Sequence, residues 1–457
     1  MPALDTASIA GFTRGPASKI AIPKPTMSVR LHDHYSSRVY TAGSPIRGEV
    51  SITSPRDTRF GFLEITFIGA THTTLVATQV PQRSSHSFLK LTMPIPESKY
   101  PHPRVFEAGR TYTIPFNFVV PTQLTLSACK HESDNFHVRD YHTRLPPTMG
   151  PGEAGWPADD LSPDTARVEY FVRARVLGER EEGARRPEKL LETRAPVRVL
   201  PFAPEDAPLD VTPADERYAM RKAKTVRRGV LGKKLGRVTA EAAQPPAIQL
   251  SADGRAAGAS GVTIRLGYEA REAGAEPPKV KVVGAKLSAS TYYGVTPARN
   301  LPDMGGRPSF PVEPPRLRYK ASVPVAAGDG AGVTWEPRAA SGRRDSGYST
   351  EHGFEDKGGE VTHEATLYVP FQAPSGKALV PTFHSCLVSR VYAVQLNLSV
   401  GPAGTAVPLT VPVQVAVEPT EEGLALSGEA VEAAEADEFL RPRVMRIPGG
   451  DELPGYA

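Results

Sequence analysis

The clearest pattern in the chain is an alternation of large apolar and smaller residues that begins at Thr111. Large apolar side chains fall at every second position: Tyr112, Ile114, Phe116 and Phe118. Because successive side chains of a strand point to opposite faces, this spacing predicts a half-buried β-strand. Pro115 has no N–H to donate to a neighbouring strand, so the strand is predicted to lie at a sheet edge or to turn this position outward.

The same period of two recurs along the chain, and no window before residue 200 shows a convincing helical period. Further strands are predicted at about 28–31, 46–52, 63–69, 168–176, 195–200, 262–268, 280–293, 365–371, 389–400 and 409–417. Gly48 falls on the apolar face of its strand, which indicates a place where a side chain does not fit. Many short strands separated by Gly and Pro turns predict two-sheet antiparallel sandwiches.

Several of these segments resemble the arrestins. Residues 40–50, 63–69 and 108–121 resemble strands of an arrestin N-terminal domain, and Pro381-Thr382-Phe383 with 389–392 is similar to the closing strands of the C-terminal domain. Cys129-Lys130-His131, followed by His142 and the Leu-Pro-Pro-Thr-Met-Gly run at 145–150, resembles the continuation found in fungal-type alpha-arrestins.

The resemblance implies an all-β chain with two consecutive immunoglobulin-like antiparallel β-sandwich (arrestin-like) domains. The predicted divisions are a flexible leader at 1–26, a first sandwich at 27–200, a Pro-rich linker and basic strap at 201–245, a second sandwich at 246–418 and an acidic disordered tail at 419–457. A stretch rich in Gly, Ser and charge at about 326–360 is predicted to be a disordered insertion within the second sandwich.

The composition indicates the number of domains and the cellular compartment. The chain has 457 residues, of which 40% are hydrophobic, and this length agrees with two or three domains. Its two cysteines, Cys129 and Cys386, are far apart in sequence, which favours a reducing compartment over a disulfide scaffold. No apolar run reaches the roughly 18–20 residues that span a bilayer, and residues 1–26 lack the apolar core of a secretory signal. With the resemblance, these features predict a cytoplasmic protein, peripheral to the plasma membrane or endosomes.

Potential metal ligands cluster after the strand at 111–118. They are Cys129, His131, Asp134, His137, Asp140 and His142. Zinc sites usually show closely spaced ligand pairs such as CxxC or HxxxH, and neither is present here. The sequence therefore favours a hydrogen-bonded loop across the sandwich, and it assigns no metal and no cofactor.

No enzyme signature is present in the sequence. The chain lacks the GxSxG, phosphate-loop and HExxH motifs. No catalytic residue is assigned, and a metal-dependent enzyme built around the histidine run is a remote alternative.

A basic run follows the prolines of the linker. Its cations are Arg221, Lys222, Lys224, Arg227, Arg228, Lys233, Lys234 and Arg237. Apolar residues in the run fall loosely at helical spacing, but its glycines weaken a free helix. Each cation near an anionic lipid surface contributes about 1 kcal/mol, so the run is a candidate lipid-binding strap. The alternatives are a solvated connector and a strap paired with the acidic tail; nucleic acid is not expected, because no aromatic residues are interleaved.

Two short motifs lie in the C-terminal half of the chain, one at its terminus and one in the predicted insertion. Leu453, Pro454 and Tyr456 have the form of a ligand for a WW domain, which grips a preformed polyproline helix and a tyrosine ring. Ser346 follows Arg343-Arg344-Asp345 and is a candidate phosphorylation site for a basophilic kinase.

The resemblance implies a trafficking adaptor. Such proteins recognise membrane transporters or receptors through their cytoplasmic tails and bring a WW-domain HECT-type ubiquitin ligase to them, so that the cargo is ubiquitinated and endocytosed. The alternative is an arrestin-fold sorting or structural scaffold that recruits no ligase.

Overall fold

The computed structural model describes residues 24–76, 80–132, 136–179, 187–212, 215, 217–229, 232–272, 275–302, 316–330, 332–337 and 363–420. Within these ranges the chain is nearly all β, as the alternation predicts. No helix of the described ranges is long and apolar enough to cross a membrane.

The first half forms a sandwich of a three-stranded and a five-stranded sheet, in the orders β1-β3-β8 and β2-β10-β9-β5-β6. Its strands are β1 (Thr26–Leu31), β2 (Val39–Tyr40), β3 (Pro45–Thr53), β4 (Thr58–Arg59), β5 (Phe62–Leu75), β6 (Gln82–Thr92), β7 (Val105–Phe106), β8 (Thr111–Val119), β9 (Ala166–Leu177) and β10 (Lys189–Val199). Strands β4 and β7 pair with each other. The inward side chains of the two sheets form one apolar core.

Strand β8 is an edge strand, one of the two arrangements that Pro115 predicts. Pro115 is exposed, whereas Ile114, Phe116 and Phe118 are buried. Gly48 lies opposite Phe116 in the ladder between β3 and β8. A Cβ atom on Gly48 would lie 2.3 Å from the carbonyl oxygen of Arg30 and 2.6 Å from Cζ of Phe116. The glycine therefore admits an aromatic ring that any larger residue would displace.

The second half forms another sandwich, whose larger sheets have the orders β11-β12-β14-β18-β17 and β16-β15-β20-β19, with β21 paired to β20. Its strands are β11 (Arg221–Arg227), β12 (Lys234–Ala242), β13 (Ile248–Leu250), β14 (Ala259–Ala270), β15 (Val280–Tyr293), β16 (Leu317–Pro324), β17 (Glu336–Pro337), β18 (His363–Gln372), β19 (Phe383–His384), β20 (Val388–Val400), β21 (Thr405–Val413) and β22 (Val415–Val417). A separate apolar core lies between these sheets.

The basic run is part of this second sandwich and not a connector. Strands β11 and β12 form an antiparallel hairpin, and β12 also pairs with β14. Val226 and Val238 are fully buried in the second core. Burial of these two side chains favours strand pairing over the loose helical spacing of the run. The sheet therefore begins at Arg221, earlier than the predicted boundary at residue 246.

The predicted disordered insertion is ordered over its first part. The backbone N–H of Gly328 donates to the carbonyl of Pro370 (2.9 Å), and Glu336 pairs with Glu364 between β17 and β18. The indole N–H of Trp335 donates to the carbonyl of Pro278 (3.1 Å), and its ring packs edge-on against Tyr268. These contacts fix a segment whose composition resembles a linker; residues 338–360 lie outside the described ranges.

The polar run after β8 contains a short helix where a loop was predicted. Helix α1 spans Phe136–Thr143. Val138 and His142, four positions apart, are both buried, so one face of the helix packs inward. Of the remaining predictions, most of the leader at 1–26 and most of the tail at 419–457 lie outside the described residues.

The two sandwiches share a tightly packed junction. Val380, Phe383, Leu387 and Val388, all from the second half, belong to the apolar core of the first sandwich. The hydroxyl of Thr73 donates to the carbonyl of Gly294 across the junction (2.8 Å). The halves are therefore joined by buried apolar and polar contacts as well as by the chain itself.

Candidate functional site

A buried arginine lies at the centre of this junction. Arg390 is on β20 and is 0% exposed. Its guanidinium reaches into the first half, where Nη1 donates to the carbonyl of Asp160 (2.8 Å) and Nη2 donates to the hydroxyl of Ser162 (2.7 Å). Within its own sandwich, Nε donates to the hydroxyl of Thr291 (3.0 Å). Because a buried charge without partners is very costly, these bonds hold the two halves in one arrangement.

The loop that receives Arg390 is shaped for this contact. The carboxylate of Asp160 accepts hydrogen bonds from the backbone N–H of Gly150 (2.6 Å) and of Ser162 (3.1 Å). Leu161 has a φ of 61°, in the left-handed region that leucine rarely adopts. Strained backbone of this kind persists only where the surrounding contacts enforce it, and it often marks functional positions.

An ion pair closes the same loop from outside. Lys377 lies 2.8 Å from the Asp159 carboxylate, and the backbone N–H of Ala378 donates to the carbonyl of Asp159 (3.0 Å). The hydrogen bond from Lys377 holds the pKa of the Asp159 carboxyl below its usual range. The second sandwich thus contacts the loop at 159–162 on two sides, through Arg390 on one side and through Lys377 and Ala378 on the other.

The predicted cysteine and histidine cluster comes together, with an added member. Cys129 Sγ lies 3.2 Å from His131 Nε2 and 3.7 Å from His142 Nδ1, and the two histidine nitrogens are 3.1 Å apart. Cys386, from the loop between β19 and β20, joins them, and the four ligand atoms all lie within 4.8 Å of one another. Both cysteines are free thiols.

The other residues of the predicted cluster are placed elsewhere. His137 is exposed, and Asp140 pairs with Arg144 (3.3 Å). Asp134 lies outside the described residues. Cys386 is far from Cys129 in the sequence, and no local pattern in the chain predicts that the two thiols meet.

Burial sets the protonation states in the cluster. It lowers the pKa of His142 to about 3, helped by the neighbouring His131. It also raises the pKa of the Cys386 thiol to about 12, helped by the nearby Cys129. Both side chains are therefore neutral at physiological pH in the protein alone.

The basic hairpin presents its cations at a sheet edge. Strand β11 is the last strand of its sheet, and Lys222, Lys224 and Arg228 are exposed. The fold also brings acids to it that the sequence does not place nearby. Glu269 lies beside Arg237 in the ladder between β12 and β14, and Lys233 forms an ion pair with Glu272. The strand remains cationic, but its neighbours on the sheet are mixed in charge.

A pocket of about 300 Å³ lies beside the junction. Its walls include Tyr141 of α1, Tyr218, His384 and Pro412. The linker crosses one side of it, where the backbone N–H of Asp206 donates to the side-chain oxygen of Gln414 (2.8 Å).

The remaining predicted sites are not described by the structure. Ser346 and the terminal residues Leu453, Pro454 and Tyr456 all lie outside the described ranges. They stay predictions from the sequence.

One comparison with known protein families matches part of the second sandwich. Residues 355–417 match the protein-family model described as "Bul1 C terminus". That stretch contains β18 to β22, and hence both Arg390 and Cys386. No protein in the curated set matches the chain.

The matched model corresponds to the arrestin-like C-terminal domain of Bul1, an arrestin-related trafficking adaptor. Two antiparallel sandwiches joined through a buried polar junction agree with this match. Residues 355–417 are therefore similar to an arrestin-like C-terminal domain, and the all-β sandwiches of the chain are consistent with an arrestin-like fold.

Proposed function

We propose that this protein is a trafficking adaptor that links membrane transporters or receptors to a WW-domain HECT-type ubiquitin ligase, so that the cargo is ubiquitinated and endocytosed. The observation that carries the proposal is the match of residues 355–417 to the C terminus of Bul1, in the half that supplies Arg390 to the junction. Nothing in this role requires catalysis by the chain itself.

The two-sandwich arrangement suits an adaptor because it offers separate surfaces on two sandwiches that pack against each other. A ligase tethered to one part of the chain gains effective concentration near cargo lysines bound at another. Leu453, Pro454 and Tyr456 would supply the tether, since a WW domain binds a proline-fixed extended peptide and a tyrosine ring. The proposed location is the cytoplasm, at the plasma membrane or endosomes.

The ligase step is tested by a pull-down with purified WW domains. The full chain is compared with a chain that ends at Asp451 and with Tyr456→Ala, and Leu440→Ala is the matched control in the same terminal stretch. We expect retention to fall at least tenfold, or about 1.4 kcal/mol, for the truncation and for Tyr456→Ala, and to stay unchanged for Leu440→Ala.

The alternative function, a scaffold without ligase recruitment, predicts that shortening the terminus does not change WW-domain binding. If the full and shortened chains bind equally, or neither binds, the tether is not at the terminus and a sorting or structural scaffold without ligase recruitment is favoured. Crosslinking of the full chain to transporters or receptors in cells would still be expected in that case.

The basic hairpin adds a second proposed partner, an anionic membrane surface. Its exposed cations on an edge strand support this proposal. Such a contact would hold the adaptor close to membrane-embedded cargo.

A further inference from the structure

Four metal-ligating side chains from both halves of the protein converge at the junction. Cys129 lies just after a single turn of 3-10 helix, His131 lies two residues later, and His142 is on α1. Cys386 comes from the loop between β19 and β20 of the second sandwich. Their ligand atoms lie within 4.8 Å of one another.

We propose that Cys129, His131, His142 and Cys386 form a structural zinc site that joins the two sandwiches. The proposal is independent of the ligase and cargo proposed above. It concerns how the junction is held and not which partner the protein binds.

The separations among Cys129, His131 and His142 agree with three corners of a tetrahedron around one ion. Zn–S bonds of about 2.3 Å and Zn–N bonds of about 2.05 Å place neighbouring S and N ligands about 3.5 Å apart and two N ligands about 3.3 Å apart. The observed S···N distances are 3.2 and 3.7 Å, and the N···N distance is 3.1 Å. These three ligands therefore need shifts of only a few tenths of an ångström. Cys386 Sγ lies within 4.8 Å of them and would complete the tetrahedron by moving closer by at most about 1 Å.

The tautomer of His131 is set for this role. Its Nδ1 lies 2.8 Å from the carbonyl oxygen of Glu132, which only accepts hydrogen bonds. Nδ1 therefore carries the proton, and the lone pair of neutral His131 is on Nε2, the atom that faces Cys129 and His142. In most metal-bound histidines, the ring nitrogen that does not bind the metal donates a hydrogen bond to a carbonyl, a carboxylate or water, and this bond orients the ring.

The donor set and the surroundings select zinc. Two thiolates and two imidazoles make a closed structural site, and their charge balances that of Zn²⁺, so the complex is neutral. Cys129, His142 and Cys386 are at most 3% exposed, which suits a neutral complex and a ligand sphere closed to water. His131 is only half-buried and provides the entry side.

The metal would add a cross-link where the halves already meet. Glu132, next to His131, forms an ion pair with Arg299 of the second half (2.9 Å). Arg316 donates to the carbonyl of Cys386 (3.0 Å) and fixes that loop. Binding free energy gained only in the folded state stabilises that state, so the junction would depend on the ion.

The test is the metal content of the full chain, which is purified under reducing conditions and analysed by inductively coupled plasma mass spectrometry. We expect one zinc per chain in the wild type and a loss of most of it in Cys386→Ser and in His142→Ala. His137→Ala, a change on the exposed face of the same helix, is the matched control and should keep its zinc. Cobalt replacement should give the visible bands and thiolate charge-transfer absorption of tetrahedral S₂N₂ coordination.

A readout on the wild type covers variants that fail to fold. A strong chelator should lower the thermal midpoint by several degrees, and added Zn²⁺, but not Mg²⁺, should restore it. Wild-type protein that is folded and zinc-free, a His142→Ala chain that keeps full zinc, or a Cys129–Cys386 disulfide as the state isolated under reductant would each overturn the proposal.

Discussion

Arg390 is a charged side chain that the fold keeps wholly out of water. Its guanidinium meets the carbonyl of Asp160 and the hydroxyls of Ser162 and Thr291, which come from both halves. Arginine suits such a place because its planar fork presents several donors at fixed angles. The residue therefore specifies how one half sits on the other.

Removing that side chain should be costly. In Arg390→Ala, the buried acceptors on Asp160 and Ser162 lose their donor, and each orphaned group costs about 1–3 kcal/mol. We expect the free energy of unfolding to fall by at least about 3 kcal/mol, measured by urea denaturation. Arg265→Ala, at an exposed position of β14, is the control and should change it by less than about 0.5 kcal/mol. A midpoint for Arg390→Ala that matches the control would show that the buried bonds contribute little.

At the residue scale, the sequence predicts effects that arise within one strand and between it and its immediate neighbours. Pro115 and Gly48 were correctly placed, because both effects arise between a residue and its immediate neighbours in the sheet. The role of Arg390 was missed, since Ser389-Arg390-Val391 in a strand resembles any partly exposed segment. Only packing against the loop at 159–162 reveals it.

The hairpin of β11 and β12 is the element whose role differs most between sequence and structure. Its apolar positions follow both a loose helical spacing and, at Val226 and Val238, inward positions of a strand. Strand β14 decides between them, because it pairs along most of β12. Positively charged side chains then fall on an edge strand, where they also discourage pairing with a second chain.

Lipid binding by this hairpin is tested by charge reversal. Lys222→Glu, Lys224→Glu and Arg228→Glu together should weaken binding to phosphatidylserine vesicles about a hundredfold or more, since each cation contributes about 1 kcal/mol. Binding is measured by vesicle co-sedimentation, and it should weaken as salt is raised.

The matched control reverses three exposed cations of the first sandwich. In Arg56→Glu, Arg59→Glu and Lys99→Glu together, the net charge changes equally, so vesicle binding should stay within a few-fold of wild type if the hairpin is the contact. Equal loss in both triple variants would indicate a nonspecific charge effect. Unchanged binding with new aggregation in the hairpin variant would instead identify its cations as edge protection.

At the scale of the whole molecule, the junction packs the two sandwiches directly against each other. Residues of the second half complete the apolar core of the first, and Trp156 packs against both cores. The proposed adaptor function would gain from such a packed junction, because it would keep the distance between two bound partners fixed. The proposed zinc site and Arg390 lie in the same junction, so both would stabilise the packing of one sandwich against the other.

Coupled unfolding is the expected consequence. The chain has two tryptophans, Trp156 at the junction and Trp335 in the second sandwich. In Trp335→Phe and in Trp156→Phe, the urea midpoint from the remaining tryptophan should coincide with the midpoint from far-UV circular dichroism. A tryptophan signal that changes well before the circular dichroism would show that the halves unfold separately.

The sequence by itself determined the period-two strands and the sandwich class, because side-chain alternation and turn residues act over a few neighbouring positions. The resemblance to arrestins rests separately on short motifs along the chain. The tertiary structure decided that the basic run is a hairpin of the second sheet, that Arg390 is buried against the loop at 159–162, and that Cys386 meets Cys129. These contacts join residues that are far apart in the chain, and they depend on strand order and register, which no local pattern contains.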